Sequence, residues 1–233
     1  KAIEWYGKVE RGEHYLSAQI HIAMIYARQG KQQQAREQLD TIEAQNNPQK
    51  VQLHIAYGEV YRESKEYNKE IEAYNKGLAE FVDNTNLLYV RALAAEKIGD
   101  LKTLETDLRK IIKNEPDNAA ALNALGYTLA DRTDRHQEAM ELIKKALELR
   151  PEDPAILDSM GWINYRLGNF PEAEKYLRMA MKDSEDAEIA AHLGEVMWVG
   201  GNQKEAKKVW AKARETAPDN DVLLSVMQKF GQL

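Results

Sequence analysis

The chain has 233 residues, with 32 Lys and Arg against 38 Asp and Glu and a formal charge of −6. This acidic balance lacks the positive excess that a phosphate backbone requires, so nucleic acid is not expected as a partner. The absence of Cys excludes disulfides, thiolate chemistry and Cys-ligated zinc, and no apolar run approaches the roughly 18 residues of a membrane-spanning helix.

In chain order, the sequence repeats itself. Ala2, Tyr6 and Val9 occupy the places that Ala35, Leu39 and Ile42 occupy one period later. Residues 1–15 are therefore expected to be the second helix of a preceding unit, and the chain a fragment of a longer protein. Six units then open at Leu16, Val51, Thr85, Ala119, Pro154 and Ala187, and a capping helix opens at Asp221. The unit bounds are 16–50, 51–84, 85–118, 119–153, 154–186 and 187–220, followed by 221–233. Successive openings lie 33 to 35 residues apart, and Gly58, Gly126, Gly161 and Gly194 hold the same place in their units. That period marks a solenoid of two-helix units that bury a core only against one another. Such a stack offers a long concave surface instead of a cleft, which points to binding.

One unit can be read in full. Asp153 is the expected N-cap, and Pro154 suits the first turn, where its missing N–H loses no partner. The first helix is expected over Pro154–Leu167, with Leu157, Met160, Gly161 and Asn164 on one face. Gly168 is expected to end it in a left-handed conformation. The second helix is expected from Phe170 to about Met181, packing through Ala173, Leu177 and Ala180. The small residues Gly161 and Ala173 let the two helices approach closely.

The recurring residues carry a family resemblance. Leu122, Leu125-Gly126, Leu129, Ala139, Ile143, Ala146 and Pro151 form one copy of a pattern; Leu157, Met160-Gly161, Ala173, Leu177 and Ala180 form the next. Leu193-Gly194, Met197, Ala206, Trp210, Ala213 and Pro218 repeat it. The pattern resembles the tetratricopeptide repeat (TPR) over nearly the whole chain. This implies an all-α TPR solenoid whose antiparallel helix pairs, with short loops and a uniform period, wind into a right-handed superhelix. The early units depart from the pattern: Glu70 replaces a small residue, Arg91-Ala92 replaces Leu-Gly, and one residue is inserted in the turn Asp131–Arg135. More narrowly, Leu125–Thr133 and Leu157–Gly168 resemble the last repeats of proteobacterial envelope TPR lipoproteins. That group includes an adaptor for a periplasmic carboxy-terminal processing protease and its substrates. The resemblance implies a signal peptide and a lipidated Cys upstream of Lys1, and repeats facing the periplasm at the outer membrane. A cytoplasmic TPR co-chaperone is the alternative.

In the family, the first helix of each unit lines the concave groove, roughly at its second, fifth, ninth, twelfth and thirteenth positions. Carried over, the first two units place Ile20, Met24 and Arg28, then Ile55, Glu59 and Glu63. The middle and C-terminal units place Tyr89, Asn123, Tyr127, Asp131, Asp158, Trp162, Tyr165 and Arg166, the candidate groove residues. Asn donates to and accepts from a peptide backbone, Arg grips a carboxylate, and aromatics supply anchor area. Tyr127 and Trp162 also fit a second reading, as fillers between neighbouring first helices. Trp210 is expected in the core, and Trp5 and Trp198 in packing or terminal contacts.

Catalytic and metal patterns are missing: there is no Gly-rich phosphate loop, no His-Glu-x-x-His and no Gly-x-Ser-x-Gly. His14, His21, His54, His136 and His192 form no i, i+4 pair and are expected to be packing or surface residues. The expectation is a non-catalytic adaptor, without metal or cofactor, that holds a protein or peptide segment. The competing expectation is a scaffold that self-associates through Trp5 and Tyr6 or through Phe230.

Overall fold

The computed structural model describes residues 1–182 and 184–233. Among the described residues the only regular elements are helices: α1 Ala2–Tyr6, α2 Tyr15–Arg28, α3 Gln32–Asp40, α4 Asn47–Glu63, α5 Tyr67–Glu80, α6 Thr85–Lys97 and α7 Leu101–Asn114. They continue as α8 Ala119–Arg132, α9 His136–Leu149, α10 Pro154–Arg166, α11 Phe170–Ala180, α12 Ala187–Val199, α13 Gln203–Thr216 and α14 Asp221–Lys229. Contacts divide the chain into two compact units, Lys1–Asn114 and Glu115–Leu233.

Local chemistry explains where the first helices start. From α4 onward each is capped by the side chain of the residue before it: Asn46, Asn84, Asn118, Asp153, Asp186 and Asn220. Each accepts from a backbone N–H in the first turn, which satisfies a donor the helix itself cannot. Asp153 is thus the cap that its sequence position suggests. At α4 the cap and Pro48 start the helix at Asn47, four residues ahead of the expected Val51. Gly168 adopts φ +79, as expected, and Lys65 takes φ 57 at the same place in the turn after α4.

In the N-terminal unit, α2 pairs with α3, α4 with α5 and α6 with α7. The departures from the repeat pattern are matched pairs. Glu70, fully buried, accepts from Arg62 Nε at 2.7 Å and Tyr74 Oη at 3.0 Å. Arg91 forks onto both oxygens of Asp107, at 2.7 Å each, and reaches Asn75 at 2.6 Å. A buried carboxylate is tolerated in these places because an arginine reaches it and hydrogen-bonds it: Glu70 and Asp107 are buried, while Arg62 and Arg91 keep part of their surface in solvent. The short helix α1 lies against α2, with Tyr6 stacked on His21 at 5.0 Å. Trp5, expected in packing or a terminal contact, is 70% exposed, with the Lys8 ammonium 4.6 Å from its ring centroid.

In the C-terminal unit, α8 pairs with α9, α10 with α11 and α12 with α13, while α14 packs on α12 and α13. The second helices bury the expected small-large-small faces: Ala139, Ile143 and Ala146, then Ala173, Leu177 and Ala180, then Ala206, Trp210 and Ala213. The larger residue of each face sits on a glycine of the paired first helix. A Cβ at Gly126, Gly161 or Gly194 would lie 2.6, 2.5 or 2.0 Å from Ile143, Leu177 or Trp210. Trp210 is fully buried as expected, and it forms a stack with Trp198 and Phe230 at 5.6 and 5.7 Å. The helices α10 and α11 end one residue inside the bounds expected for them, at Arg166 and Ala180.

Candidate functional site

The face shared by α8, α10, α12 and α14 carries a ladder of joined polar and aromatic groups. At its centre is His192 of α12, 5% exposed. Its Nδ1 lies 2.9 and 3.0 Å from the two carboxylate oxygens of Asp158 on α10. Its ring stacks on Trp162 at 4.3 Å, and its Nε2 lies 3.5 Å from Tyr127 Oη on α8. Trp162 Nε1 donates to Asp131 Oδ1 at 3.2 Å. Arg166 Nη1 donates to the Asp131 backbone carbonyl at 2.7 Å. On the other side Tyr165 Oη donates to Glu195 Oε1 at 3.0 Å, and Lys229 Nζ of α14 donates to the same oxygen at 2.8 Å.

Tyr127, Asp131, Asp158, Trp162, Tyr165 and Arg166 are therefore brought together, directly or through His192 and Glu195. Asn123 stands one turn before Tyr127 on α8, and its buried Oδ1 has no hydrogen-bond partner. Tyr89 is half-buried on α6, in the N-terminal unit. Trp162 is only 7% exposed and Asp158 only 8%. Their polar atoms point to neighbouring first helices, so they form a floor beneath the half-buried Tyr127, Asp131, Tyr165 and Arg166. For Trp162 the filler reading matches its burial.

The candidate groove residues read from the sequence include neither His192 nor Glu195. The signal that finds them is opposite charge at one repeat spacing. Asp131 and Arg166 are 35 residues apart, Asp158 and His192 are 34 apart, and Glu195 and Lys229 are 34 apart. In a stack of repeats, side chains one period apart on first helices become neighbours.

The electrostatics follow from burial. Desolvation pushes the His192 imidazole down, but the charge and hydrogen bond of Asp158, with Glu195 and Asp131 behind them, hold it above its ordinary value. Burial, then the Glu195 charge and hydrogen bond, push the Tyr165 phenol up to about 12. A raised histidine stabilises the fold fully below its unfolded value of about 6.5, and that contribution is lost as pH rises through the folded value. The C-terminal unit is therefore expected to lose stability above that range. Urea unfolding at a series of pH values checks this, and Asp158→Asn should remove the His192-linked part of the slope. Among the described residues no group of three or more His, Asp or Glu could hold a metal ion.

Helix pairs stacked by repetition, with a bonded side-chain ladder along one face of their first helices, define a helical-repeat binding protein. Models described as tetratricopeptide repeat match residues 22–84, 89–154 and 155–188, and the chain belongs to the tetratricopeptide repeat family. Its repeats make it a protein–protein interaction scaffold, as expected. A TPR repeat-containing protein of Pseudomonas aeruginosa, PA4667, is 46% identical over 195 residues, covering 84% of this chain and 33% of that protein. Bacteriophage adsorption protein A of Escherichia coli is 28% identical over 110 residues, covering 47% of this chain and 11% of that one. The chain thus spans a third or less of the length of these curated relatives. Among solved structures, the TPR protein TTC0263 of Thermus thermophilus aligns over 77% of this chain and 98% of its own, with a TM-score of 0.69 and 20% identity. Pseudomonas aeruginosa PilF aligns over 98% and 100%, with a TM-score of 0.61 and 15% identity. Both show a shared fold. No described helix is long and apolar enough to cross a membrane.

Proposed function

We propose that this chain is a non-catalytic adaptor that holds a protein segment on the first-helix face of its C-terminal unit. The rim of Asn123, Tyr127, Asp131, Tyr165 and Arg166 makes the contacts, over the floor of Asp158, Trp162 and His192. Tyr89, in the N-terminal unit, is a candidate contact of that unit by itself. The observation that carries it is the ladder itself. Side chains already locked by their mutual hydrogen bonds lose little rotamer freedom when a partner docks, so more of the contact energy becomes affinity.

The resemblance of Leu125–Thr133 and Leu157–Gly168 to envelope lipoproteins supports a finer reading: delivery of substrates to a carboxy-terminal processing protease in the periplasm, from a lipid anchor upstream of Lys1. Reading the gene upstream of Lys1 tests the compartment, and the lack of a signal sequence there would defeat it. Co-purification with the protease, followed by titration, tests the partner. Tyr127→Ala is expected to weaken binding by about 2 kcal/mol, because half-buried aromatics at the centre of an interface dominate it. Arg166→Ala should also weaken it, most for a carboxylate-bearing ligand. Lys144→Ala and Lys175→Ala, exposed on second helices, should leave it unchanged. If folded Tyr127→Ala and Arg166→Ala bind as the parent does, the face is not the site. The exposed Trp5 edge, and with it self-association, then becomes the better reading. Reproducible turnover by the purified chain would overturn the non-catalytic assignment.

A further inference from the structure

The N-terminal unit holds a second concavity, of about 560 Å³, between α1, α2 and α4. Its apolar lining comes from Tyr6, Ile20, Met24 and Ile25. Its charges are unevenly matched. Arg28 pairs with Glu63 at 3.3 Å. Arg62, also in the lining, bonds the buried Glu70 at 2.7 Å and Tyr74 Oη at 3.0 Å. Glu59, at the ninth position of its unit, is half-buried in the wall and has no hydrogen-bond or ion-pair partner among the described residues. Two guanidinium groups thus face three carboxylates, and the one without a bonded partner is Glu59. Desolvation raises its carboxyl pKa, with Glu70 and Glu63 adding to the effect and Arg62 and Arg28 opposing it. A half-buried carboxylate beside apolar walls is costly alone and gains when a cation is brought to it.

We infer that this concavity is a second protein-binding site, which takes an extended segment carrying a Lys or Arg side chain next to an aliphatic one. The cation meets Glu59, and the aliphatic neighbour covers Ile20 and Met24. A basic side chain suits the site because its methylene stem lies along apolar surface while its head reaches the carboxylate. An acidic or neutral segment leaves Glu59 desolvated and unpaired, so the charge selects as well as attracts. The site goes beyond the C-terminal face proposed above and does not depend on it.

Met24 is the one methionine among residues 1–114, so its labelled methyl group reports on this wall alone. The probes are acetyl-Ala-Leu-Lys-Leu-Ala-amide and the same peptide with norleucine in place of lysine, titrated into the full chain. The expected result is a saturable shift of the Met24 methyl with the lysine peptide. Affinity should fall about tenfold with the norleucine peptide or in Glu59→Gln. Because Glu59 makes no hydrogen bond, Glu59→Gln should fold as the parent does. Arg166→Ala should bind the lysine peptide unchanged, which separates this site from the C-terminal face. An unmoved Met24 methyl, or equal affinity of Glu59→Gln or of the norleucine peptide, would overturn the inference. So would spermidine competing at the peptide's own affinity, since the site would then take a free cation and no segment.

Discussion

Trp210→Ala is expected to destabilise the C-terminal unit by about 3–5 kcal/mol, the range for removing a buried Trp or Phe. Trp210 is fully buried, stacks on Trp198 and Phe230, and donates its Nε1–H to the Ala191 carbonyl at 3.2 Å. Its deletion opens a void against Gly194, which has no side chain to fill it, and leaves that carbonyl short of a donor. Surrounding helices have little room to collapse, because α12, α13 and α14 all meet at this stack. The opposite error should also be costly. In Gly194→Ala the new methyl would lie 2.0 Å from Trp210 Nε1, and moving the indole would break the stack, at about 1–3 kcal/mol. Repeats open locally, so the loss should appear in hydrogen exchange of α12 to α14 before it appears elsewhere. Near-parental exchange across those helices in Trp210→Ala would show that the stack is not what holds this end.

Asp158→Ala is expected to cost about 3–5 kcal/mol under conditions where His192 carries its proton, as breaking a buried ion pair from one side does. His192 would be left desolvated against Trp162, without the carboxylate at 2.9 Å. The cost has a pH signature. With Asp158 gone the imidazole can shed its proton and avoid the charge penalty, so the deficit should be larger at pH 5 than at pH 8. The double replacement Asp158→Leu with His192→Leu should be far milder than Asp158→Ala alone, because both charges leave together. Chemical unfolding of the set at both pH values checks the sign. A deficit that grows with pH would mean that the pair is not ionised as argued here.

Much of the architecture was legible because it rests on local rules. Asp153 and Pro154 mark a helix start within four residues, and Gly168 marks its end by its own backbone freedom. The recurrence of Gly126, Gly161 and Gly194 opposite Ile143, Leu177 and Trp210 is a contact within one unit, so a single period of sequence contains both partners. The candidate face was half legible. Position numbers picked out Tyr127, Asp131, Asp158, Trp162, Tyr165 and Arg166, side chains that the fold brings together with His192 and Glu195. They did not show that Trp162 and Asp158 would be spent on Asp131 and His192, nor that Arg62 and Arg91 would find Glu70 and Asp107.

The sequence by itself determined the helical period, the caps, the small-large matching inside each helix pair and the charge balance that argues against nucleic acid. Each of these depends on residues a few positions apart, or within one repeat, where chain connectivity sets the geometry. Only the tertiary structure decided which groove side chains turn inward to the next first helix and which stay on the rim. It likewise decided that His192 lies at the centre of the ladder and that Glu59 is left without a partner. Those outcomes depend on the rotation between neighbouring helix pairs. A few degrees of that rotation move a side chain at the end of its stem by ångströms, enough to make or break a hydrogen bond.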